Sequence, residues 1–500
     1  MGKKQKKTGK GAEKTAAKTD KKLSQKLKKQ LAASGEDDIE TILAQIEKEE
    51  QERCKVVEKI IGTSPTRRAF CSLNSHPYRE ELIMFGGEYH NGHETWVYKD
   101  LFIYKITTDE WIFLKIPGGP PPRTSHQAVV VPSNKGELWI FGGEFTTKSE
   151  SQFYHYRDLW VLQLDTKQWT QIKASGGPSA RSGHRMVLCK RQLIVFGGYH
   201  DNLQDCKYFN DVYAFNLDDR TWKKIEPIGT PPLPRSGCQM VATPEGKIII
   251  WGGYSKNKAK RDMEIGICHT DMFLLSPEKG DSMGLKWKWS TIKPGGIKCG
   301  PRSGVSAILW GNKVFTFGGS SDHETEEELT AEFHNELYTF DIQRNVWSEV
   351  ILTGKKENAK PRRRKGSANE DESVEEESSS SLVSEMEEQV VEDGVFTLRV
   401  GATSSHATSS NEFQEKIVPQ HPHPRINASL AIKNSKLYLY GGIYEDGDIQ
   451  HTLRDFHVLD LHKLDEWKTL ISCELNQEWI ASSSESSDSD TSTDIEEMEV

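Results

Sequence analysis

The sequence predicts an all-β chain folded as a six-bladed β-propeller, and three features that recur six times predict it. An apolar run ends in Gly-Gly, its second glycine at Gly87, Gly143, Gly198, Gly253, Gly319 and Gly442. An acid then opens an alternating apolar run, at Asp100, Asp158, Asp211, Asp271, Glu336 and Asp455. A Trp closes each unit, at Trp111, Trp169, Trp222, Trp287 or Trp289, Trp347 and Trp467. The first glycine of each pair recurs at intervals of 56, 55, 55, 66 and 123 residues, the last interval carrying an insert.

Each unit reads as four short strands. Strand a follows an Arg, namely Arg68, Arg123, Arg181, Arg235, Arg302 and Arg425. Strand b is the run into Gly-Gly, strand c begins at the acid, and strand d carries the Trp. Period-two alternation bounded by Gly, Pro, Asn and Asp is the signature of strands and turns. One four-stranded sheet cannot bury both of its faces. Sheets stacked around an axis cover one another and hide most of their edges.

The paired glycines end strand b in a sharp turn, where positive φ costs glycine little. A phosphate cradle would need a following helix and a nucleotide-binding spacing, and neither is present. The Trp side chains bury apolar area between blades. Strands a and c are parallel, each being antiparallel to b, so the Arg and the acid of one unit start at the same end. An Arg–carboxylate pair inside each blade is therefore expected: Arg68 with Asp100, Arg123 with Asp158, Arg181 with Asp211, Arg235 with Asp271, Arg302 with Glu336 and Arg425 with Asp455. The rival reading is a ring of arginines that lines the central channel and binds an anion.

The apolar-Gly-Gly turn, the aromatic strand c and the Trp of strand d resemble the kelch repeat, over about residues 66–350 and 421–472. The resemblance implies a kelch-type propeller. The ubiquitin-ligase adaptors of that family carry a BTB, BACK or F-box region, and 1–65 is too short to build one.

The chain has 500 residues, 35% of them hydrophobic and 28% charged, with a formal net charge of -9. The charge is concentrated outside the blades. Residues 1–30 hold 12 Lys against Glu13 and Asp20, and 370–393 hold 11 acids with no Lys or Arg. The expected layout is a lysine-rich disordered arm (1–35), an amphipathic helix (36–65), blades 1–5 (66–353), a disordered basic and acidic insert (354–420), blade 6 (421–472) and an acidic, Ser-rich tail (473–500). Helical spacing of Ile39, Ile42, Leu43, Ile46, Val57 and Ile60 predicts the helix. The basic run Lys360 to Lys365 reads as a nuclear import signal, and tail serines such as Ser486 read as kinase substrates among acids. The eight cysteines include no C-x-x-C pair, so no zinc or redox site is expected and a reducing compartment is. No apolar run is long enough for a bilayer and no signal peptide opens the chain, so the expected location is the cytoplasm, with the nucleus as a second compartment.

Function is expected in what differs between blades. The b–c connections are long, distinct and rich in Tyr, His, Glu and Trp, and loops on a rigid scaffold are where binding residues gather. The candidate partner contacts are Tyr89, His90, Glu144, Tyr154, Tyr199, His200, Tyr254 and His323. The loop histidines lack compact metal-ligand spacing. No nucleophile elbow or Cys–base pair marks a catalytic residue. No metal, cofactor, membrane contact or small-molecule substrate is expected. The reading is a non-enzymatic protein–protein interaction scaffold that uses the b–c and d–a loops of one face. A second reading is a ribosome- or nucleolus-associated factor with RNA on the lysine arm. A third is an enzyme with its site over the channel.

Overall fold

The computed structural model describes residues 55–201, 206–258, 264–281, 284–297, 299–324, 329–354, 421–447 and 449–475. The lysine arm, most of the expected helix, the insert with Lys360 to Lys365 and the tail serines lie outside them. The described residues hold strands and no helix.

Six sheets follow one another around an axis, each an antiparallel a–b–c–d quartet from one continuous stretch of chain. In blade 3 the strands are Arg185–Cys189, Gln192–Phe196, Val212–Asn216 and Thr221–Ile225. Strand b is the most buried, because neighbouring blades cover both of its faces. Leu82, Leu138, Leu193, Ile248, Val314 and Leu437 are all 0% exposed.

The Trp of strand d supplies each seam between blades. Its ring packs on the aromatic residue that ends strand b of the preceding blade: Trp169 on Phe85, Trp222 on Phe141, Trp289 on Phe196, Trp347 on Trp251 and Trp467 on Phe317. Trp289, rather than Trp287, therefore fills this role in blade 4. Trp111 packs on Tyr440 at 5.9 Å, which closes the ring between blades 6 and 1. The Tyr440 hydroxyl also donates to the carbonyls of Pro65 and Thr66. Among the described residues blade 1 and blade 6 each hold a whole a–b–c–d quartet and share no strand.

Two expectations need correction. The end of the expected helix, Val57–Ile61, is a strand on the outer edge of blade 1, antiparallel to Glu110–Lys115 with Ile61 opposite Trp111. Its β-branched residues suit a strand, and the open backbone edge of blade 1 offers hydrogen bonds that helical periodicity does not. Val57 and Ile60 face solvent while Ile61 packs against the core. The b–c connections, read as loops, are hairpins. They pair Glu88–His90 with Thr95–Val97, Glu144–Thr146 with Phe153–His155, Tyr199–Asp201 with Cys206–Tyr208, Tyr254–Lys258 with Glu264–Cys268, and Ser320–Glu324 with Leu329–Phe333. In blade 6 the two strands run straight on, as Lys436–Asp446 and Ile449–Asp460.

Candidate functional site

The face that carries the Arg residues, the hairpins and the d–a connections is built on ion pairs inside the blades. Arg123, Arg181, Arg235 and Arg425 each reach both carboxylate oxygens of their acid; for Arg123 and Asp158 the distances are 2.8 and 2.9 Å. Arg68 makes one contact to Asp100 at 3.3 Å, and Arg302 one to Glu336 at 3.0 Å. In five blades the same guanidinium donates to the carbonyl of the first glycine after strand b. Those five arginines are at most 1% exposed. Their donors are turned into the blade, so they present no anion site to the channel. Burial alone would raise the Asp455 carboxyl, but the Arg425 charge and hydrogen bonds hold it far below the usual carboxylate range.

The residue after each Arg meets the residue after each Gly-Gly in an antiparallel bridge: Ala69 with Glu88, Thr124 with Glu144, Ser182 with Tyr199, Ser236 with Tyr254, Ser303 with Ser320, and Ile426 with Ile443. Strand a is innermost, so these twelve positions encircle the axis. The next residue along is left-handed in every blade, from Phe70 at φ 52 to Gly304 at φ 64. That turn lets the Ser125, Gly183, Gly237 and Asn427 amides donate to the equivalent carbonyl of the preceding blade.

On blades 1–3 the inner ring is acidic and hydroxylic. Glu144 accepts from the Tyr199 hydroxyl at 3.0 and 3.2 Å and from the Ser182 hydroxyl at 3.0 Å. His155 pairs with Ser182 at 3.0 Å and accepts the Asp201 amide. Burial, then the charge of Glu144, pushes the Glu88 carboxyl up to about 8. Burial also raises Glu144, against the Tyr199 and Ser182 hydrogen bonds. Burial and then His200 hold His155 neutral, down to about 4.

The candidate contacts divide accordingly. Glu144, Tyr199 and His200 come together around His155, with the His200 ring 4.7 Å from it. Tyr89 stacks on Trp96 in the first hairpin, and His90 pairs with the Thr95 hydroxyl. That hydroxyl donates to Glu150 of the second hairpin, so blades 1 and 2 are tied. Tyr154 is 62% exposed and leans edge-on against Tyr156. Tyr254 lies over Gly266, where a Cβ would come within 2.9 Å of the ring. His323 lies on its hairpin opposite Thr330.

Sequence reasoning missed Glu88, Thr124 and Ser182, and saw His155 only as one of several loop histidines. The usable signal was positional: aligning the repeats on the residues that follow Arg and Gly-Gly gives the inner ring. It also missed the rim cluster in which the Phe333, His423 and His451 rings pack around Tyr444, since these come from distant stretches.

The KLHDC2/KLHL20/DRC7 Kelch-repeats domain matches this chain over residues 71–281 and 183–374. The chain is 29% identical over 240 residues to Tip elongation aberrant protein 1 of Schizosaccharomyces pombe, covering 47% of this chain and 19% of that protein. It is 28% identical over 208 residues to Acyl-CoA-binding domain-containing protein 5 of Arabidopsis thaliana, covering 41% and 30%. It is 26% identical over 338 residues to Host cell factor 1 of Homo sapiens, covering 62% and 15%. The match thus takes in less than a third of the length of each of these relatives. The solved structure of YjhT aligns with a TM-score of 0.48 at 13% identity, covering 82% of this chain and 99% of that one.

Proposed function

This chain belongs to the kelch-repeat family, and from that premise we propose that it is a non-enzymatic scaffold binding a protein partner through the hairpins and d–a connections of its Arg face. Kelch-repeat propellers typically serve protein–protein interaction. Beyond the repeat, the layout is similar to that of kelch domain-containing protein 4, from the opening Met1-Gly2-Lys3-Lys4 to the insert before the last blade and the acidic tail.

One observation carries the reading. Among the described residues ten large hydrophobic side chains are exposed. Phe153, Tyr154 and Ile449 lie in b–c hairpins, and Ile228, Leu233, Ile297 and Ile351 lie in d–a connections. Val57 and Ile60 are on the edge strand, and Tyr78 alone is on an a–b turn of the opposite face. Exposed apolar side chains gathered on one face are what a protein interface supplies with cover. The scattered cysteines fit a reducing compartment, so the cytoplasm and the nucleus are where the partner is to be sought.

The test is affinity capture from cells with the full chain, a Tyr154→Ala/Leu233→Ala variant and a Tyr78→Ala control. A partner lost from the double variant and kept by the control supports this face. A partner lost only from the control places binding on the opposite face.

A further inference from the structure

The strands d form the outer edges of the blades, and they are not protected alike. The outward amides and carbonyls of an edge strand are a template for another strand unless something covers or repels it. Blade 1 carries Val57–Ile61 along its strand d. In blade 4 the Ile228 amide donates to the Trp287 carbonyl and the Ile228 carbonyl accepts from the Trp289 amide, so the d–a connection runs along strand d. In blade 5 Gly295–Gly296 pairs in the same parallel sense with Val346 and Trp347. Among the described residues the strands d of blades 2, 3 and 6 have no outer neighbour.

Charge separates these three. Strand d of blade 3, Thr221–Ile225, carries Lys223 and Lys224, and that of blade 6, Lys468–Ile471, opens on an exposed lysine. Lysines on an edge keep other strands away. Strand d of blade 2, Gln168–Ile172, reads QWTQI and carries no charge. Trp169 packs into the seam with blade 1 and Ile172 into the seam with blade 3, while Gln168, Thr170 and Gln171 are exposed. The strand is therefore held firmly by its blade and left open along its outer side.

The charges at its two ends favour one kind of occupant. Lys167 and Lys173 bracket the strand; Lys167 pairs with Glu58, and Lys173 is exposed with no ion-pair partner among the described residues. A two-fold pairing with a second copy, centred on Thr170, would set Lys167 of each copy against Lys173 of the other. Like charges directly opposite one another destabilise a strand pair. A segment that brings a carboxylate to Lys173 gains where a second copy loses.

We propose that Gln168–Ile172 is a strand-addition site that takes an extended segment of a protein partner, with an acidic side chain at the end that meets Lys173. Main-chain hydrogen bonds supply the affinity, and the Lys173 ammonium fixes which way the segment lies. This surface is on the outer circumference of the ring, apart from the Arg face, and does not depend on binding there.

The probe is a fluorescein-labelled peptide of alternating Val and Thr with a Glu at each end, and its binding to the full chain is measured by anisotropy. The comparison peptide has every amide N-methylated, which keeps the charges and removes the donors. The methylated peptide should bind at least about tenfold more weakly, and Lys173→Glu should weaken the unmethylated one about fivefold. The unmethylated peptide should also slow hydrogen exchange within Gln168–Ile172 and leave Thr221–Ile225 and Lys468–Ile471 as they were. Equal affinity for the two peptides, or none for either, overturns strand addition. Binding indifferent to Lys173→Glu overturns the acidic occupant. Protection at the edge of blade 3 or blade 6 instead overturns the choice of blade 2. Protection of Gln168–Ile172 without peptide, with a dimer in light scattering, gives the edge to a second copy and overturns the proposal as well. None of these measurements involves Tyr154 or Leu233, so the reading of the Arg face stands or falls separately.

Discussion

Arg425 and Asp455 meet in a bidentate pair, with Nη1 to Oδ1 at 2.5 Å and Nη2 to Oδ2 at 2.7 Å, and Arg425 is 1% exposed. The equivalent Arg302 makes one contact to Glu336, whose side chain is 37% exposed. The same repeat position thus carries two different energies. Removing Arg425 takes the guanidinium from a buried carboxylate and leaves it His457 at 2.7 Å, which costs about 3 kcal/mol. Arg302→Met leaves a carboxylate that water reaches, and about 1 kcal/mol is expected. Urea unfolding of Arg425→Met and Arg302→Met compares them directly. Equal losses would mean that burial does not set the strength of these pairs.

The pH dependence of stability should have two arms of opposite sign. Folding holds His126 neutral down to about 3 and His76 to about 4, whereas the unfolded histidines protonate near their ordinary value of about 6.5. Below that value the unfolded state binds more protons, so acidification lowers stability. Glu88 acts the other way: its folded carboxyl keeps a proton up to about 8, while the unfolded one releases it near about 4.3. Between those values the folded state holds the extra proton, so stability falls as pH rises and levels off above about 8. Glu88→Gln should flatten the arm above neutrality and leave the histidine arm in place. Denaturation midpoints from pH 4.5 to 9 read both, and an unchanged alkaline arm in Glu88→Gln would remove Glu88 as its source.

Gly143 is confined from two sides. Its φ is 92°, and a Cβ there would lie 2.6 Å from the Thr124 carbonyl and 2.8 Å from the His126 Cβ. Strain and overlap together should cost Gly143→Ala about 3 kcal/mol. Gly118, with φ 68° and nothing within 4 Å of its Cβ position, should lose only about 1 kcal/mol. Thermal unfolding of the two variants separates packing from backbone strain.

The ring was legible because its parts are periodic. Six aromatics, six arginines and six acids at matched spacings fix which strands neighbour which, and the bidentate pairs follow from strand polarity alone. The acidic inner ring was harder to read. Glu88 and Thr124 are 36 residues apart in sequence and adjacent in space, and a single residue after Gly-Gly carries no motif of its own. The edge strand was misread for a physical reason. Val57 and Ile60 continue a helical spacing begun at Ile39, but they lie beside an unpaired sheet edge that the sequence does not display. Hairpins were read as loops because their strands are short, three residues in the first three blades.

Removing that edge strand tests the correction. Val57–Ile61 covers the backbone edge of Glu110–Lys115, and Ile61 joins the core of blades 1 and 6. A chain starting at residue 62 should therefore lose stability and self-associate, because an uncovered strand edge templates pairing. A chain starting at residue 55 keeps the strand and should match the full chain in its thermal midpoint and in light scattering. Loss of stability already at residue 55 would show that the preceding segment, rather than this strand, supports the ring.

The ring should open at one particular seam. At five seams the second glycine of a blade donates its amide to the carbonyl of the next blade's Arg, as Gly143 does to Arg181 at 3.0 Å and Gly319 to Arg425 at 3.0 Å. At the same five the Arg amide donates back to the preceding blade, as Arg181 does to Tyr156. Neither bond forms between blades 4 and 5, where Gly253 and Arg302 stand at these positions, and no atom of Arg302 comes within 4 Å of the Gly252 Cβ position. Blades 4 and 5 are held instead by Trp251 against Trp347 and by the Gln239 amide on the Val305 carbonyl. With fewer bonds to break, the free energy of local opening is lowest there. Native-state hydrogen exchange should find the amides of Gly253 and Arg302 exchanging before those of Gly143 and Arg181. Gln239→Ala should speed exchange at the first pair and leave the second unchanged. Uniform exchange at all six seams would mean that the Trp contacts alone set the strength of the ring.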